Sequence, residues 1–502
     1  MDRLADSQKY IIEGDTLTNM ADAVRKKTNS TALLTPEQIT AKINQIRLGI
    51  PVNVSNHINP ETGEWERPST WPNVDTITIP DGFDGVYLTY DLSLTPGYGW
   101  IGVSCDLGES GTYTVERGHL ENGVFVSDYS QSLNSGALFR EALDEQYGSV
   151  QLWRVSSTAH ITKFGFVSSS ATAANAIVNR LQPCVEAIGR LTYITNLSSA
   201  QSQNARCFGT QWMERDARAC GGNGVCTTMA NCWLNCYNLQ VLDLSGWNTT
   251  NWAVTVLEGC WQGCYSLQVL DLSGWNTANW AITTLAYCWN ACYSLQTLDV
   301  SGWDTTNWAV TTLANCWNGC YSLQSLDFSG WNTTNWAVTT LSSCWSGCYS
   351  LQILNLSGWN TTNWAVKSIQ YCWLYCYSLQ NLDLSGWNTT NWAVTTMSSC
   401  WNGCYSLRSL IGVSTWTFVS KIKSASSVFA PALPLLQEFS GIPYSISHSY
   451  ADAKSLTPQS IVNILTVLPT VTSATITLGS DNKNKVRASD IAIATAKGWT
   501  VA

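Results

Sequence analysis

Residues 229–256 read MANCWLNCYNLQVLDLSGWNTTNWAVTV, and close variants of this 28-residue unit follow one another without insertion as far as residue 410. The clearest marker of the unit is a pair of cysteines four positions apart, with tryptophan directly after the first. Seven such pairs occur, at Cys232/Cys236, Cys260/Cys264, Cys288/Cys292, Cys316/Cys320, Cys344/Cys348, Cys372/Cys376 and Cys400/Cys404. A fixed period of this length predicts a solenoid, because each unit buries its apolar face only by stacking on its neighbours.

Each unit also contains three leucines with the spacing of a short strand, as in Leu239, Leu242 and Leu244. Inward side chains at this spacing stack on the next coil, and the pattern is typical of leucine-rich repeats. Leu257, Cys260 and Cys264 are spaced by three and four residues, which predicts a helical turn on the opposite wall. The predicted core of the repeat consists of Leu239, Leu242, Leu244, Trp247, Leu257, Cys260, Trp261 and Cys264.

The segment Leu-Asp-Leu-Ser-Gly-Trp-Asn-Thr-Thr-Asn, followed later by Cys-Trp-x-Gly-Cys-Tyr-Ser-Leu, resembles the BspA-like leucine-rich repeats of bacterial and phage surface proteins. This chain has Trp where those repeats have Phe, Cys where they have Met, and a longer connection after Asn-Trp. The resemblance covers residues 229–412 and implies a leucine-rich repeat fold and a role at a surface. It does not name a ligand, because one fold serves many functions.

The chain is thus predicted to be a multidomain protein built mainly on an α/β solenoid of 28-residue leucine-rich coils. An antiparallel β-sandwich and a short N-terminal helical hairpin precede this array. The predicted domains are an attachment segment (1–50), the β-sandwich (51–170), a linker with degenerate N-capping coils (171–228), the solenoid (229–412) and a C-terminal capping module (413–502).

The first predicted domain contains two helices. Leu17, Met20 and Val24 share one helical face, and Thr35-Pro36-Glu37-Gln38 is a capping box with Pro at the first helical position. These residues resemble the N-terminal segment of tail-associated proteins from phages of Gram-positive gut bacteria. That resemblance implies attachment to other phage tail proteins.

The second predicted domain alternates apolar and polar residues with a period of two, which favours strands. We predict strands at 74–79, 86–92, 100–105, 112–116, 124–128, 150–156 and 161–167. Trp65, Trp71, Trp100 and Trp153 either fill the core of this domain or form a platform for sugars.

At the other end of the chain, residues 413–420 are predicted to form a last strand. A helix is predicted from Pro458 with Ile461, Ile464 and Leu465 facing inward, followed by a strand at 474–478 and a helix at 490–497. This tail resembles the ending that often closes BspA-like arrays in phage proteins.

The cysteines of the repeat allow three interpretations. We favour buried free thiols that pack as small apolar groups. Disulfides between stacked coils are less favoured, because the Cβ vectors of equivalent residues run parallel. Zinc sites are least favoured, because structural zinc sites use closer cysteine pairs together with a second pair or histidines.

Catalysis and cofactors are not expected. The four histidines, His57, His119, His160 and His448, lie in no catalytic or metal-binding motif. A net charge of −9 without a basic run argues against nucleic acid, and no apolar run is long enough to span a membrane. Stacked aspartates, from Asp243 to Asp383, are expected to accept hydrogen bonds from nearby serines or amides; a row of calcium ions is the alternative.

Differences between the units concentrate just before the first cysteine and between the tryptophan and the second cysteine. Either these positions face water and vary freely, or they contact a partner. The candidate partner-binding residues are Glu258, Gln262, Tyr287, Asn290, Asn315, Asn318, Ser343, Ser346, Tyr371, Leu374 and Tyr375.

The predicted function is that of a non-catalytic phage tail protein that is made in the bacterial cytoplasm. As part of the virion it would recognise a host cell-surface protein or glycan through the solenoid. One alternative is a BspA-like bacterial surface adhesin, and another is a tail protein that binds or hydrolyses glycans through the β-sandwich. A homo-oligomer is compatible with each of these.

Overall fold

The computed structural model describes residues 66–95, 99–167, 183–195, 225–422, 428 and 433–502, and the backbone of four two-residue strands outside these ranges. Two of the four, β1 (Asp2–Arg3) and β2 (Ile11–Ile12), pair with each other in antiparallel orientation. The two predicted N-terminal helices and Trp65 lie outside the described residues. The chain divides into an N-terminal unit, Gly14–Trp280 with Ala291–Leu295, and a C-terminal unit made of Met1–Glu13, Ala281–Asn290 and Gln296–Ala502.

Two sheets make up the first part of the N-terminal unit. The six-stranded sheet has the order β12 (Ala219–Cys220), β10 (Cys184–Leu191), β3 (Asp84–Asp91), β8 (Val150–Ser157), β5 (Thr112–Glu121) and β6 (Val124–Asn134). The four-stranded sheet has the order β11 (Ala205–Arg206), β9 (Ile161–Val167), β4 (Trp100–Leu107) and β7 (Leu138–Ala142). Except for the parallel pair of β10 and β12, neighbouring strands are antiparallel, as predicted.

One predicted strand of the sandwich is wrong. Residues 74–76 form a 3₁₀ turn, Val74–Thr76, and not the start of a strand over 74–79. Val74 packs against Tyr87 and Phe125 on the outer face of the six-stranded sheet. This segment therefore covers the sheet, and for that reason nearly every residue of β3 is buried.

The sandwich also extends past residue 170, where we placed its end. Strand β10 lies within the predicted linker of residues 171–228, yet it pairs with β3 along almost its whole length. Strand β7, which the periodicity did not indicate, pairs with β4. Asn122 and Gly123 connect β5 and β6, and both residues have the positive φ that a tight hairpin turn requires.

We number the repeats as coils 1 to 7, from the Cys232/Cys236 coil to the Cys400/Cys404 coil. In the N-terminal unit, backbone hydrogen bonds connect the sandwich to coils 1 and 2. The Thr195 amide donates to the Thr162 carbonyl in β9, the Thr227 amide donates to Thr195, and the Thr255 amide donates to Thr227. The edge of the four-stranded sheet thus continues into one wall of the repeats.

The leucine-rich segments form short parallel strands that pair in register between coils. These strands are β13 (Val241–Asp243), β14 (Val269–Asp271), β15 (Ser325–Asp327), β16 (Ile353–Asn355), β17 (Asn381–Asp383), β18 (Ser409–Ile411) and β19 (Glu438–Phe439). We call this surface the strand wall.

The opposite wall is not the helical turn that the spacing of Leu257, Cys260 and Cys264 predicted. The chain there makes consecutive tight turns, with the Cys260 amide donating to Leu257 and the Cys264 amide to Trp261. A helix is excluded because the residue before each cysteine has a positive φ, as at Gly259 (61°) and Gly263 (76°). We call this surface the turn wall.

Columns of equivalent aromatic residues fill the interior. In the C-terminal unit, Trp289, Trp317, Trp345, Trp373 and Trp401 stack almost in parallel, with successive ring centroids 5.5, 5.8, 5.6 and 5.6 Å apart. All eight residues of the predicted repeat core are buried in the N-terminal unit. A large apolar side chain at each equivalent position therefore holds neighbouring coils together.

Buried threonines form a polar column beside the tryptophans. The Thr333 hydroxyl donates to the Asn360 carbonyl of the next coil (3.1 Å) and accepts from the Asn360 amide (2.7 Å). Thr249, Thr305 and Thr361 make the same pair of bonds. Each hydroxyl satisfies one donor and one acceptor of the backbone, so the column stabilises the stacking without leaving buried polar groups unpaired.

The cysteines of the repeat are buried free thiols. The second thiol of a coil donates to the carbonyl of the tryptophan in the preceding coil, as Cys348 does to Trp317 at 3.2 Å. Burial raises the pKa of the Cys348 thiol well above its ordinary value. Cys348 therefore remains protonated and serves as a weak donor inside the stack.

The end of the chain continues the stack beyond coil 7. The Trp401 amide donates to Val428, which stands 28 residues after Cys400, and Trp416 stacks on Trp387. Residues 413–420 form two 3₁₀ turns, Val413–Thr415 and Phe418–Lys421, in place of the predicted strand. These residues belong to a degenerate further coil whose tryptophan and valine extend the columns.

The remaining C-terminal elements follow the predicted order. They are β20 (His448–Ser449), α1 (Pro458–Val467), β21 (Ala474–Thr477), α2 (Gly479–Lys483), α3 (Ala488–Thr495) and β22 (Trp499–Val501). Thr457 caps α1, which buries Ile461, Ile464 and Leu465 as predicted. Strands β20, β21 and β22 form a parallel sheet.

Candidate binding surface

The turn wall is a rigid backbone ladder. In coils 4, 5 and 6, the amides of three residues around the cysteine pair donate to carbonyls of the next coil. In coil 6 these donors are Tyr371, Trp373 and Tyr375, with distances of 3.0, 2.9 and 2.7 Å. Because these bonds repeat from coil to coil, the side chains on the wall are held at fixed positions.

Two positions of every coil on this wall have left-handed backbone conformation, with φ between 52° and 83°. They are the residues directly before the first and the second cysteine. Glycine and asparagine, which adopt this conformation most readily, occupy eight of the fourteen positions. This preference was visible in the sequence and could have predicted the turns, but we attributed the variation there to exposure or partner contact.

Tyrosines are the most unusual occupants of the left-handed positions. Tyr287, Tyr371 and Tyr375 have φ values of 58°, 58° and 62°. Their side chains are 39%, 41% and 38% exposed. A bulky residue in this conformation costs about 1–2 kcal/mol, so each of these tyrosines is kept at some expense of stability.

The other candidate partner-binding residues are distributed as follows. Glu258 is exposed, whereas Gln262, Asn290, Asn315, Asn318, Ser343 and Leu374 are partly buried. Ser346 is only 9% exposed and does not belong to the accessible surface, contrary to our prediction. Its short side chain lies between the longer Asn318 and Leu374, whose coils are bonded to its own on either side.

Coil 6 has the largest aromatic surface on the turn wall. Tyr375 lies 5.7 Å from Tyr377, and Tyr377 stacks on Tyr349 of coil 5 at 4.9 Å. The Tyr375 ring lies against the backbone of coil 7. A Cβ atom added to Gly403 would be 2.7 Å from the Cδ1 atom of Tyr375. We call these rings, together with Tyr371 and Leu374 of the same turn, the coil 6 patch.

The strand wall has a different chemistry. As predicted, its aspartates accept hydrogen bonds from the serine two residues later; Asp299 accepts from the Ser301 amide at 3.0 Å and from its hydroxyl at 2.7 Å. These bonds lower the pKa of Asp299. Val269 and Ile353 are exposed on this wall, by 44% and 63%. The carboxylates thus stabilise the turn after each strand.

Trp71 and Trp153 do not form a sugar platform. Trp71 and Trp153 are 5% and 1% exposed, and Trp100 is partly buried. Trp71 donates from Nε1 to Asp91, and Trp153 packs against Tyr129 and Phe139. Trp71 and Trp153 therefore belong to the core of the domain, which was one of the two predicted alternatives.

Several carboxylates of the sandwich are bound by arginines. Glu116 accepts from Arg154 at 2.7 Å and Asp128 from Arg117 at 2.9 Å. Asp84 is 5% exposed, and burial raises its pKa to about 6; it accepts from the Ile161 amide at 2.8 Å and so ties β3 to β9. These contacts have structural roles.

The described histidines are surface or packed residues. His119 is exposed beside Glu121, and His160 stacks on Tyr193. His448 is surrounded by the rings of Tyr444, Tyr450 and Trp499, and burial lowers its pKa to about 4. Its Nδ1 atom donates to the Ile446 carbonyl at 2.8 Å, as expected for a neutral imidazole.

Two kinds of feature are absent from the described ranges. Among their helices, none has the length and hydrophobicity needed to cross a lipid bilayer. In the same ranges, no group of histidine, cysteine, aspartate and glutamate side chains is arranged to hold a metal ion.

The parallel strands, the period of 28 residues and the stacked apolar columns define a predominantly β repeat protein of the leucine-rich type. Residues 227–337 and 311–442 match the profile of the family described as "Mycoplasma protein of unknown function, DUF285". This match supports a BspA-like repeat protein. No curated protein matches the sequence.

Among solved structures, the chain is similar to a leucine-rich repeat protein of Leptospira interrogans. The identity is 15%, the similarity covers 58% of this chain and 78% of that chain, and the TM-score is 0.24.

Proposed function

We propose that the protein is a non-catalytic binding protein of a phage or prophage virion, which contacts a host cell surface through the turn wall of its repeats. The observation that carries this proposal is the placement of exposed tyrosines at left-handed positions, where glycine or asparagine would fit without strain. Strained residues persist where they serve a function, so these tyrosines favour recognition over free variation.

The composition of the turn wall also suits recognition. Tyrosine, serine and asparagine dominate its variable positions, and the same residue types dominate binding loops that combine rigid aromatic contacts with adaptable hydrogen bonds. Because the coils repeat, many weak contacts act together, and several copies on one particle would multiply them. The N-terminal resemblance to phage tail-associated proteins supports attachment of the chain to a virion.

The test begins with particles induced from the strain that carries the gene. Mass spectrometry is expected to find peptides of this chain in the purified particles together with tail proteins, and the purified full chain is expected to bind intact cells of related strains. If its peptides instead occur in the cell envelope and not in the particles, the chain is a surface adhesin and the virion assignment is wrong. If the chain binds no cells, the recognition role is wrong as well.

A further inference from the structure

The variable positions of the turn wall carry no charge in coils 4 to 7. The two residues before the first cysteine and the two residues before the second cysteine include no Asp, Glu, Lys or Arg in any of these coils, although the whole chain has a net charge of −9. A surface without charge does not attract an ionic partner. A neutral partner that covers it does not have to remove water from charged side chains. The wall therefore fits a ligand that is polar but uncharged.

Hydroxyl and amide groups supply hydrogen bonds along this wall. Asn315, Asn318 and Ser343 are partly exposed and come from coils 4 and 5, and Ser399 and Asn402 occupy the equivalent positions of coil 7. Equivalent positions recur at the spacing of stacked strands, roughly 4.8 Å. A repeating row of such groups matches a ligand whose own hydroxyls repeat along a chain.

The coil 6 patch adds aromatic faces to this row. Tyr371 and Tyr375 present rings that are about two-fifths exposed, and Tyr377 and Tyr349 extend the aromatic surface beside them. An aromatic face attracts the C–H groups of a sugar ring, because the negative face of the ring meets weakly positive hydrogens. A phenolic hydroxyl both donates and accepts hydrogen bonds, as a sugar hydroxyl does.

We propose that the coil 6 patch, with the adjacent turn wall of coils 4 to 7, binds an uncharged polysaccharide. This inference rests on the proposed function and specifies its ligand class. Tyrosine is also common at protein interfaces, so a protein partner is the other outcome of the test below. A repeating polymer also suits a surface that repeats with every coil.

Coil 7 provides the sequence for a matched variant. Its turn reads Ser399-Cys-Trp-Asn402-Gly403-Cys on a backbone with the same two left-handed positions as coil 6. The triple substitution Tyr371→Ser, Leu374→Asn and Tyr375→Gly gives coil 6 this turn. Removing two tyrosines from left-handed positions is expected to leave the melting temperature unchanged or higher. A loss of binding in this variant is then not a loss of folding.

A control variant alters the strand wall. Ile353 is 63% exposed, and coil 4 has Ser325 at the equivalent position, so Ile353→Ser removes an exposed apolar side chain without disturbing the repeat. We expect it to bind like the unaltered chain. Full-length proteins are used throughout, and binding of the labelled chain to intact cells is measured by flow cytometry.

The cells are treated either with periodate, which oxidises sugars, or with proteinase K. Periodate treatment of the cells and the triple substitution are each expected to reduce binding at least tenfold, whereas proteinase K and Ile353→Ser leave it unchanged. If proteinase K abolishes binding and periodate does not, the ligand is a protein and this inference is wrong, while the proposed function stands. Full binding by the triple variant would also overturn the inference. If the unaltered chain binds no cells, the proposed function fails with it.

Discussion

The Trp345→Ala variant is expected to lose about 3–5 kcal/mol of unfolding free energy, the usual cost of removing a fully buried tryptophan. Trp345 is 0% exposed and stacks between Trp317 at 5.8 Å and Trp373 at 5.6 Å. Alanine at this position leaves a cavity in the middle of a column, and the backbone ladders on both walls prevent the neighbouring coils from closing it.

Denaturant unfolding followed by tryptophan fluorescence measures this effect, with Ile353→Ala as the control. The Ile353 side chain is largely exposed, so its truncation is expected to change stability by less than about 0.5 kcal/mol. Equal unfolding midpoints for Trp345→Ala and the unaltered chain would mean that the tryptophan column does not support the stack. The double variant with Trp317→Ala is expected to cost less than the sum of the two single losses, because the two rings contact each other.

The Thr333→Val variant is expected to lose about 2 kcal/mol, although valine has almost the same shape as threonine. The Thr333 hydroxyl is the partner of both the amide and the carbonyl of Asn360, at 2.7 and 3.1 Å, and Thr333 is 0% exposed. Valine removes both bonds and leaves two backbone groups without their partner inside the protein, which is costlier than the loss of an exposed hydrogen bond.

Thr334→Val is the matched control for this variant. Thr334 is the next residue in the chain, and its side chain is exposed. The two substitutions make the same chemical change, but only Thr333→Val removes the hydrogen bonds of the threonine column. Comparing the thermal unfolding of the two variants therefore separates the loss of these bonds from the general effect of replacing threonine by valine. If Thr334→Val destabilises the protein as much as Thr333→Val does, the hydrogen bonds of the column do not account for the stability.

The periodic part of the fold could be predicted from the sequence because its cause is local and repeated. The spacing of Leu239, Leu242 and Leu244 specifies a strand, and the recurrence of Trp261 and Cys264 in every unit requires that equivalent residues stack. The aspartate contacts followed from the same reasoning, because carboxylates in a row need donors. In these cases one interaction determines the structure at all equivalent positions.

The structure of the elements outside the repeat depends on tertiary contacts. These contacts cannot be predicted from the period of the sequence. Val74 alternates with its neighbours like a strand residue, yet it covers the outer face of the sheet in a 3₁₀ turn. Strand β10 lies within the segment that we assigned to a linker, and only its pairing with β3 makes it part of the sandwich. The prediction of a helical turn was wrong because a spacing of three and four residues also arises from consecutive tight turns.

Only some of the candidate partner-binding residues are exposed on the turn wall. Tyr287, Tyr371 and Tyr375 are exposed, but Ser346 is covered by the coils on either side of it. Its burial depends on the size of the residues at equivalent positions, Asn318 and Leu374, and so on a comparison between units. The left-handed conformation also affects how the sequence differences between coils are interpreted. A tyrosine at such a position is strained and is therefore not a neutral substitution.

We propose that the turn wall contacts the cell and that the strand wall does not. Hydroxyl-radical footprinting of the full chain, free and bound to intact cells, tests it most directly. We expect oxidation of Tyr287, Tyr371 and Tyr375 to fall on binding while oxidation of Val269 and Ile353 stays the same. Protection of Val269 and Ile353, with the three tyrosines still oxidised, would contradict the claim and place the contact on the strand wall.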